Sequence, residues 1–250
     1  MGPRITGDHD ALLRVPAPAP GAGVRLVCCP HAGASAAAFA AMAVAVPSTI
    51  EALCVEYPGR GGKRGAGIGD IGEVADRICA EVLDRGDVPV AVYGHSMGAA
   101  VAFEVTWRLE QEGAEPTRLF VSGRKAPSTA LELALPGNED IVAELRALGG
   151  IPPRILGRPA FRDMIVSVVR NDYRANLAYR AAPERVVRAP ITFLLAAGDP
   201  YVDVEAARAW TRHTSAELRV TRFPGDHFFL RDHLAEIVDE IVRGVQVRAM

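Results

Sequence analysis

Short apolar runs alternate along this chain with longer segments in which apolar residues recur every three or four positions. The short runs are rich in β-branched residues and are bounded by Pro, Gly or polar residues, which predicts buried strands. The predicted strands are Val24 to Cys29, Ile50 to Tyr57, Val88 to Tyr93, Leu119 to Ser122, Ile191 to Ala196 and Leu218 to Phe223.

The longer segments have the spacing of amphipathic helices. Between Asp70 and Arg85, for example, apolar residues repeat at three and four positions, and Asp70 is placed to cap the helix. The other predicted helices are Ala36 to Val46, Ala99 to Glu110, Glu139 to Leu148, Phe161 to Leu177 and Leu234 to Val245. Strands that alternate with helices indicate an α/β fold, with a mostly parallel central sheet and helices on both faces.

The alternation fails between about Pro136 and Ala182, where helices follow one another with no strong strand candidate. We interpret this stretch, approximately residues 136–182, as a helical lid inserted over the carboxyl ends of the strands. The length of 250 residues then suits one α/β domain spanning residues 1–250. The first twenty or so residues, in which Pro alternates with Ala, are expected to be an extended or mobile lead-in.

Gly94-His95-Ser96-Met97-Gly98 lies between a predicted strand and a predicted helix. A G-x-S-x-G sequence in that setting is typical of a nucleophile elbow, in which the serine occupies a strained strand-to-helix turn. The two glycines remove the Cβ atoms that would clash where strand and helix approach each other. Ser96 is therefore the candidate nucleophile.

A serine nucleophile needs a histidine base, and the order expected along the chain is Ser, acid, His. His227 follows the last predicted strand in a Pro-Gly-Asp turn, which favours it as the base. His233, at the start of the final helix, is the near competitor. The remaining histidines fit the order or the position less well; they are His9, His31, His95 and His213.

The acid is expected to follow a strand between the serine and the histidine. Asp199 lies in the turn Gly198-Asp199-Pro200 after the strand that ends at Ala196, and it is the first choice. Asp203 is the alternative, and either residue could instead cap a helix. Asp172, in the insertion, could pair with an arginine.

The transition state of acyl transfer carries an oxyanion that must meet preorganised N–H donors. The amide after the nucleophile, that of Met97, is one candidate. The second is the amide of Ala32, in the loop of small residues Pro30-His31-Ala32-Gly33-Ala34 that follows the first of the predicted strands.

Charge and cysteine content narrow the class of protein. The formal net charge of −2 gives no drive toward nucleic acid or an anionic membrane, so neither is an expected partner. The N-terminus has no signal-peptide pattern, and the Ala-rich stretch up to Val46 is broken by Gly33 and stopped by Pro47. Cys28, Cys29, Cys54 and Cys79 lack metal-site spacing and fit buried thiols, which indicates a cytoplasmic protein.

Taken together, these motifs resemble the type II thioesterases of polyketide and nonribosomal peptide synthetase systems. The matching motifs follow the family's order over nearly the whole chain. They are Pro30-His31-Ala32-Gly33, Tyr57-Pro58-Gly59-Arg60, Gly94-His95-Ser96-Met97-Gly98-Ala99, Arg170-Asn171-Asp172, Gly198-Asp199-Pro200 with Trp210, and Phe223-Pro224-Gly225-Asp226-His227-Phe228-Phe229.

The resemblance implies an α/β-hydrolase fold and hydrolysis of acyl groups from the 4′-phosphopantetheine thiol of acyl or peptidyl carrier proteins. It carries over Ser96 as nucleophile, Asp199 as acid and His227 as base, with Ala32 and Met97 as oxyanion donors. No cofactor of its own and no metal are implied, since the substrate brings the phosphopantetheine. Two alternatives stay open: an acyl-transferring or cyclising relative, and a non-catalytic carrier-binding protein.

Two further expectations concern substrate contact. Basic residues after two predicted strands would either form a rim that attracts a carrier protein or serve as ordinary solubilising surface charges; they are Arg60, Lys63, Arg64, Arg124 and Lys125. Apolar residues of the insertion would either line an acyl channel or pack the insertion on the core; they are Leu145, Leu148, Ile151, Ile155, Phe161, Met164 and Ile165.

Overall fold

A computed structural model describes residues 11–60, 67–132, 134–148 and 153–246 of the chain. Over these residues the strands form one seven-stranded sheet in the order β1-β3-β2-β4-β5-β6-β7. The strands are β1 (Leu13–Arg14), β2 (Val24–Cys29), β3 (Ile50–Val55), β4 (Val90–His95), β5 (Arg118–Ser122), β6 (Ile191–Ala196) and β7 (Leu218–Phe223).

All neighbouring strands pair in parallel except β1, which runs antiparallel to β3. The α-helices are α1 (Ala40–Ala45), α2 (Ile71–Leu83), α3 (Met97–Gln111), α4 (Asn138–Leu148), α5 (Pro153–Leu156), α6 (Pro159–Ala178), α7 (Val204–Arg208) and α8 (Leu234–Gln246). Short 3-10 helices cover Ala36–Phe39, Ala209–His213 and Phe229–Arg231.

Alternating side chains of each strand feed two separate cores. In β2, for example, Val27 packs with α2 and α3, whereas Leu26 packs with α1 and α8 on the other face. The predicted sheet with helices on both faces is therefore confirmed. The predicted cap of α2 is confirmed as well, because the Asp70 side chain accepts the Glu73 N–H at 3.0 Å.

The N-terminal lead-in departs from the expectation. Its described part is extended, as predicted, but it is part of the sheet rather than a mobile segment: Leu13 pairs with Val55, and Leu12 is buried. The Glu81 carboxylate accepts the N–H groups of both leucines at 2.6 to 3.0 Å. Two apolar side chains and one acidic partner thus fix this edge strand; residues 1–10 lie outside the described part of the chain.

The helices α4, α5 and α6, hereafter the insertion, lie between β5 and β6. They contain no strand in their described residues, as predicted, and they have a small core of their own made by Ile141, Val142, Leu145, Leu156, Val166 and Val169. Because β2, β4, β5, β6 and β7 are parallel, the loops that leave their carboxyl ends meet at one edge of the sheet.

Candidate active site

The turn between β4 and α3 holds Ser96 in the conformation that the glycine pattern predicts. Ser96 has φ 55°, the one positive φ among the described non-glycine residues. Its N–H donates to the Ser122 carbonyl at 2.9 Å, which ties the turn to the end of β5. A Cβ on Gly94 would overlap the Gly98 carbonyl, and one on Gly98 would overlap the Cys29 carbonyl. The turn therefore requires glycine on both sides of the serine.

His227 and Asp199 meet at the same edge of the sheet. The Nδ1 of His227 lies 2.9 Å from the Asp199 Oδ2, and the Asp199 side chain is 2% exposed. The other carboxylate oxygen accepts the Tyr201 N–H at 2.9 Å. An ionised carboxylate only accepts hydrogen bonds, so this contact places a proton on Nδ1 and leaves Nε2 as the basic nitrogen.

The alternative acid, Asp203, is a helix cap. Its Oδ1 accepts the Ala206 N–H at 2.8 Å and caps α7. The Nδ1 of the competing histidine, His233, lies 3.5 Å from the Glu236 Oε1. His213 is held by Ser128 and by the Arg185 carbonyl. The structure thus places Asp199 beside His227, whereas Asp203, His233 and His213 contact other residues. His9 lies outside the described residues.

His95 and His31, which the sequence order disfavoured as the base, lie near His227. The His95 ring lies 4.8 Å from the His227 ring, and the His31 ring lies 5.8 Å from that of His95, measured between centroids. Burial lowers the pKa of His95 well below its ordinary range and that of His31 to about 3. Both rings are therefore neutral at pH 7 and do not repel a proton that His227 gains.

Gly123, directly after β5, is a site residue that sequence reasoning missed. It has φ +65°, and a Cβ there would lie 2.7 Å from the His95 Cε1 and 2.8 Å from the His227 Cε1. Glycine is needed because the two imidazoles approach the backbone this closely. A glycine that immediately follows a predicted central strand was the available signal.

The loop after β2 carries the candidate oxyanion donor Ala32. The Tyr57 hydroxyl donates to the Pro30 carbonyl at 3.1 Å and holds the start of this loop. Among the hydrogen bonds of the described residues, the N–H groups of Ala32 and Met97 have no acceptor. Both amides are thus free to receive a developing negative charge.

Two cavities lie side by side at this edge of the sheet. Ala32, Ser96 and His227 line a cavity of about 760 Å³. A second cavity of about 530 Å³ lies between the loop after β2 and the insertion. His31 and Phe228 line both and form the wall between them.

Those predicted acyl-channel residues whose side chains the structure describes separate into three groups. Leu145 and Ile165 line the 530 Å³ cavity, where Val168 and Val169 join them. Phe161 and Met164 are 44% and 57% exposed. Ile155 is half-buried and lines neither of the two cavities. The side chains of Leu148 and Ile151 lie outside the described residues.

The predicted basic rim is wrong for two of its members. Arg60 is buried and forms an ion pair with Asp172, so the expected arginine partner of Asp172 is found inside the protein. Arg124 is buried too, and its guanidinium donates to the side chain and the carbonyl of Asn176. Lys125 lines the 760 Å³ cavity, and Lys63 and Arg64 lie outside the described residues.

Within the described part of the chain, no cluster of His, Cys, Asp or Glu side chains has the arrangement of a metal site. The helices described are each too short or too polar to span a bilayer.

The thioesterase domain family matches residues 24–244. The chain belongs to the thioesterase family. It is 38% identical over 248 residues to a probable cadicidin biosynthesis thioesterase of Streptomyces griseus, covering 97% of this chain and 69% of that protein. It is also 36% identical to thioesterase PikA5 of Streptomyces venezuelae, covering 90% of this chain and 82% of that protein.

Solved structures of thioesterases are similar to this chain as well. The type II thioesterase BorB from the borrelidin biosynthetic cluster superposes with a TM-score of 0.84 at 36% identity, covering 96% of this chain and 99% of BorB. The type II thioesterase YbtT of the yersiniabactin pathway superposes with a TM-score of 0.83 at 29% identity, over 94% and 98% of the two chains. The α/β-hydrolase fold expected from the sequence is thereby confirmed.

Proposed function

We propose that this thioesterase is a type II editing enzyme that hydrolyses acyl groups from the 4′-phosphopantetheine thiol of acyl or peptidyl carrier proteins. The relatives named for cadicidin, borrelidin and yersiniabactin biosynthesis support a role in polyketide or nonribosomal peptide assembly. The observation that carries the mechanism is the buried Asp199–His227 contact beside the cavity that Ser96 lines.

In the proposed acylation step, the Ser96 Oγ attacks the thioester carbonyl carbon while the His227 Nε2 takes the hydroxyl proton. The carboxylate of Asp199 keeps the imidazole in the required tautomer and stabilises its charged form. The negative charge on the carbonyl oxygen is received by the N–H groups of Ala32 and Met97. The C–S bond then breaks, and His227 returns the proton to the departing pantetheine thiol.

Deacylation repeats this sequence with water. His227 removes a proton from a water molecule, whose oxygen attacks the acyl carbon of the Ser96 ester. The second tetrahedral intermediate collapses with release of a free carboxylic acid, and the proton goes back to the Ser96 oxygen. No redox step or metal is required, so we assign the enzyme no cofactor of its own.

The proposal extends to the organisation of the chain. We propose one domain over residues 1–250, with approximately residues 136–182 as a lid over the active site, in a cytoplasmic protein. The position of the insertion beside both cavities supports the lid, since Leu145 lines one cavity and Glu144 the other.

The direct test is mass spectrometry of several acyl carrier proteins before and after incubation with the enzyme. We expect loss of the acyl mass from the phosphopantetheine arm together with release of the free acid. An ester, amide or cyclic product in place of the acid would point to acyl transfer. Carriers that are bound but left acylated would point to a non-catalytic binding protein.

A further inference from the structure

Asp172, on α6 of the insertion, is a fully buried carboxylate that takes no part in the proposed chemistry. Its Oδ2 accepts the Gly33 N–H at 2.9 Å, and its Oδ1 accepts the Ile68 N–H at 3.0 Å. Arg60 completes the set as an ion pair. An isolated buried carboxylate is costly, and the two N–H donors together with the positive charge of Arg60 offset that cost. Asp172 therefore joins the insertion to loops that lie 104 and 139 residues away in sequence.

Gly33 belongs to the turn that carries the candidate oxyanion donor. The Ala34 N–H donates to the His31 carbonyl at 3.1 Å, which makes His31 to Ala34 a four-residue turn. Its third residue, Gly33, has φ +79°, as a type II turn requires. The Gly33 N–H that Asp172 holds belongs to the central peptide of this turn.

The Ala32 N–H belongs to the preceding peptide, one residue from the amide that Asp172 holds, so a displacement of Gly33 from Asp172 would also displace the Ala32 N–H. Oxyanion stabilisation requires a donor fixed before the charge develops, because a donor that must reorient loses much of its benefit. Ala32 packs in the core, and the Tyr57 hydroxyl holds the Pro30 carbonyl at the start of the loop. The Asp172 carboxylate adds a direct hydrogen bond to the Gly33 N–H, the amide that follows Ala32.

We infer that Asp172 is a positioning residue that holds the Ala32 amide ready for the oxyanion and makes the oxyanion hole dependent on the seating of α6. The inference rests on the proposed role of Ala32. Without the Asp172 contact the Ala32 N–H is less firmly positioned, and thioester turnover is then slower.

The test compares Asp172→Asn with Glu110→Gln. Glu110 is a matched control, because it too is a buried carboxylate that accepts two backbone N–H groups, those of Arg188 and Ala189 at 2.7 to 2.8 Å. It lies at the far end of α3 and contacts neither cavity. Both substitutions remove a buried charge that accepts two amides, so both are expected to lower the melting temperature.

Only Asp172→Asn is expected to affect the transition state. We expect kcat on an acyl thioester to fall about 10- to 100-fold, less than the loss of an entire oxyanion donor, with KM changed by no more than about threefold. The affinity for an alkyl boronic acid, whose tetrahedral Ser96 adduct places an oxygen in the oxyanion hole, should fall by a similar factor. Glu110→Gln should leave kcat and boronic acid affinity within about twofold of wild type.

Equal kcat values for the wild type and Asp172→Asn, or equal losses in both variants, would overturn the inference. If Asp172→Asn does not fold, the double variant Arg60→Gln/Asp172→Asn removes the unpaired arginine as well, and the same kcat and boronic acid losses are expected from it. Boronic acid binding does not need turnover. A wild type that binds the boronic acid but hydrolyses no thioester would therefore contradict the proposed function while leaving the Asp172 comparison decisive.

Discussion

The turn around Ser96 takes its shape from five consecutive residues, whereas the insertion is fastened to the sheet by side chains whose partners lie far away in the chain. Backbone geometry and two glycines give the turn its shape, and one backbone hydrogen bond to Ser122 ties it to β5. The insertion depends on two buried residues one helical turn apart on α6: Asp172, bound to Gly33 and Arg60, and Asn176, bound to Arg124.

The contrast means that the nucleophile and the rest of the active site are positioned by different kinds of contact. The nucleophile is presented by local geometry that survives as long as β4 and α3 form. The second oxyanion donor and the walls of the cavities depend on long-range polar contacts with α6, which belongs to an insertion whose own apolar core is small. We therefore expect changes in the turn to abolish function or folding, and changes in the insertion to have graded effects.

The largest expected effect is that of Ser96→Ala. Acyl-thioester hydrolysis should fall at least about 10⁴-fold, because no acyl-enzyme can form, while the circular dichroism spectrum and melting temperature stay close to wild type. Release of free acid measured by mass spectrometry checks the result. Activity within about tenfold of wild type would remove Ser96 from the mechanism.

Asp199→Asn is expected to be nearly as severe, with kcat about 10³- to 10⁴-fold lower. The amide favours the wrong His227 tautomer and does not stabilise the charged imidazole. Asp203→Asn is the control, since asparagine caps a helix about as well as aspartate does, so its kcat should be close to wild type. A larger loss from Asp203→Asn would contradict the assignment of the acid.

Gly98→Ala tests how strictly the turn depends on glycine. The added methyl group would overlap the Cys29 and Pro30 carbonyls, both backbone atoms, so we expect a loss of about 3–5 kcal/mol in the free energy of unfolding or failure to fold. In Gly137→Ala, before α4, the methyl group meets only the flexible Asp140 side chain at 3.1 Å. Urea unfolding should place that variant within about 1 kcal/mol of wild type; comparable losses would mean that the insertion is as tightly constrained as the turn.

Asn176→Ala tests the second fastening of the insertion. It leaves the buried Arg124 guanidinium without its side-chain acceptor, at an expected cost of about 1–3 kcal/mol in the free energy of unfolding. Hydrogen exchange should show faster opening of α6 than of α3. Asn171→Ala, on the same helix, removes an exposed contact with Arg174 and should cost no more than about 0.5 kcal/mol. Equal exchange of α3 and α6 would show that the insertion does not open separately.

The smallest effect concerns pH. Burial holds the pKa of His95 well below its ordinary value of 6.5, so below that pH the unfolded chain binds a proton that the folded chain does not. Stability contributed by neutral His95 is therefore complete above pH 6.5 and is lost as the pH falls toward the folded pKa. Between pH 7.5 and 5.5 this amounts to about 1.4 kcal/mol, which His95→Gln should remove from the pH dependence measured by urea unfolding. An unchanged dependence would mean that His95 titrates normally.

Sequence reasoning succeeded where local patterns carry the information. The bounds of β2, β6 and β7 agree with the predicted strands, and β4 is displaced by only two residues toward Ser96. The contact between Asp199 and His227 follows from their positions after neighbouring parallel strands. Their catalytic roles stay predictions until the variants are measured.

The errors have a common cause. Arg60 and Arg124 were assigned to a surface rim because arginines in loops are usually exposed, but each has a buried partner on α6. The edge strand β1 was missed because Leu13, and Leu12 just before the strand, gain their partners from β3 and α2. Contacts between residues so far apart in the chain produce no recurring pattern in the sequence.

The sequence by itself determined the α/β architecture, the turn that presents Ser96 and the order of the candidate triad, because hydrophobic periodicity and glycine positions act over a few residues. The tertiary structure alone decided that Asp172 reaches Gly33 across 139 residues, that the His31 and His95 rings near His227 are neutral, and that Arg60 and Arg124 are buried. Burial and ion pairing depend on which distant segments meet, and the packing of the whole chain decides that.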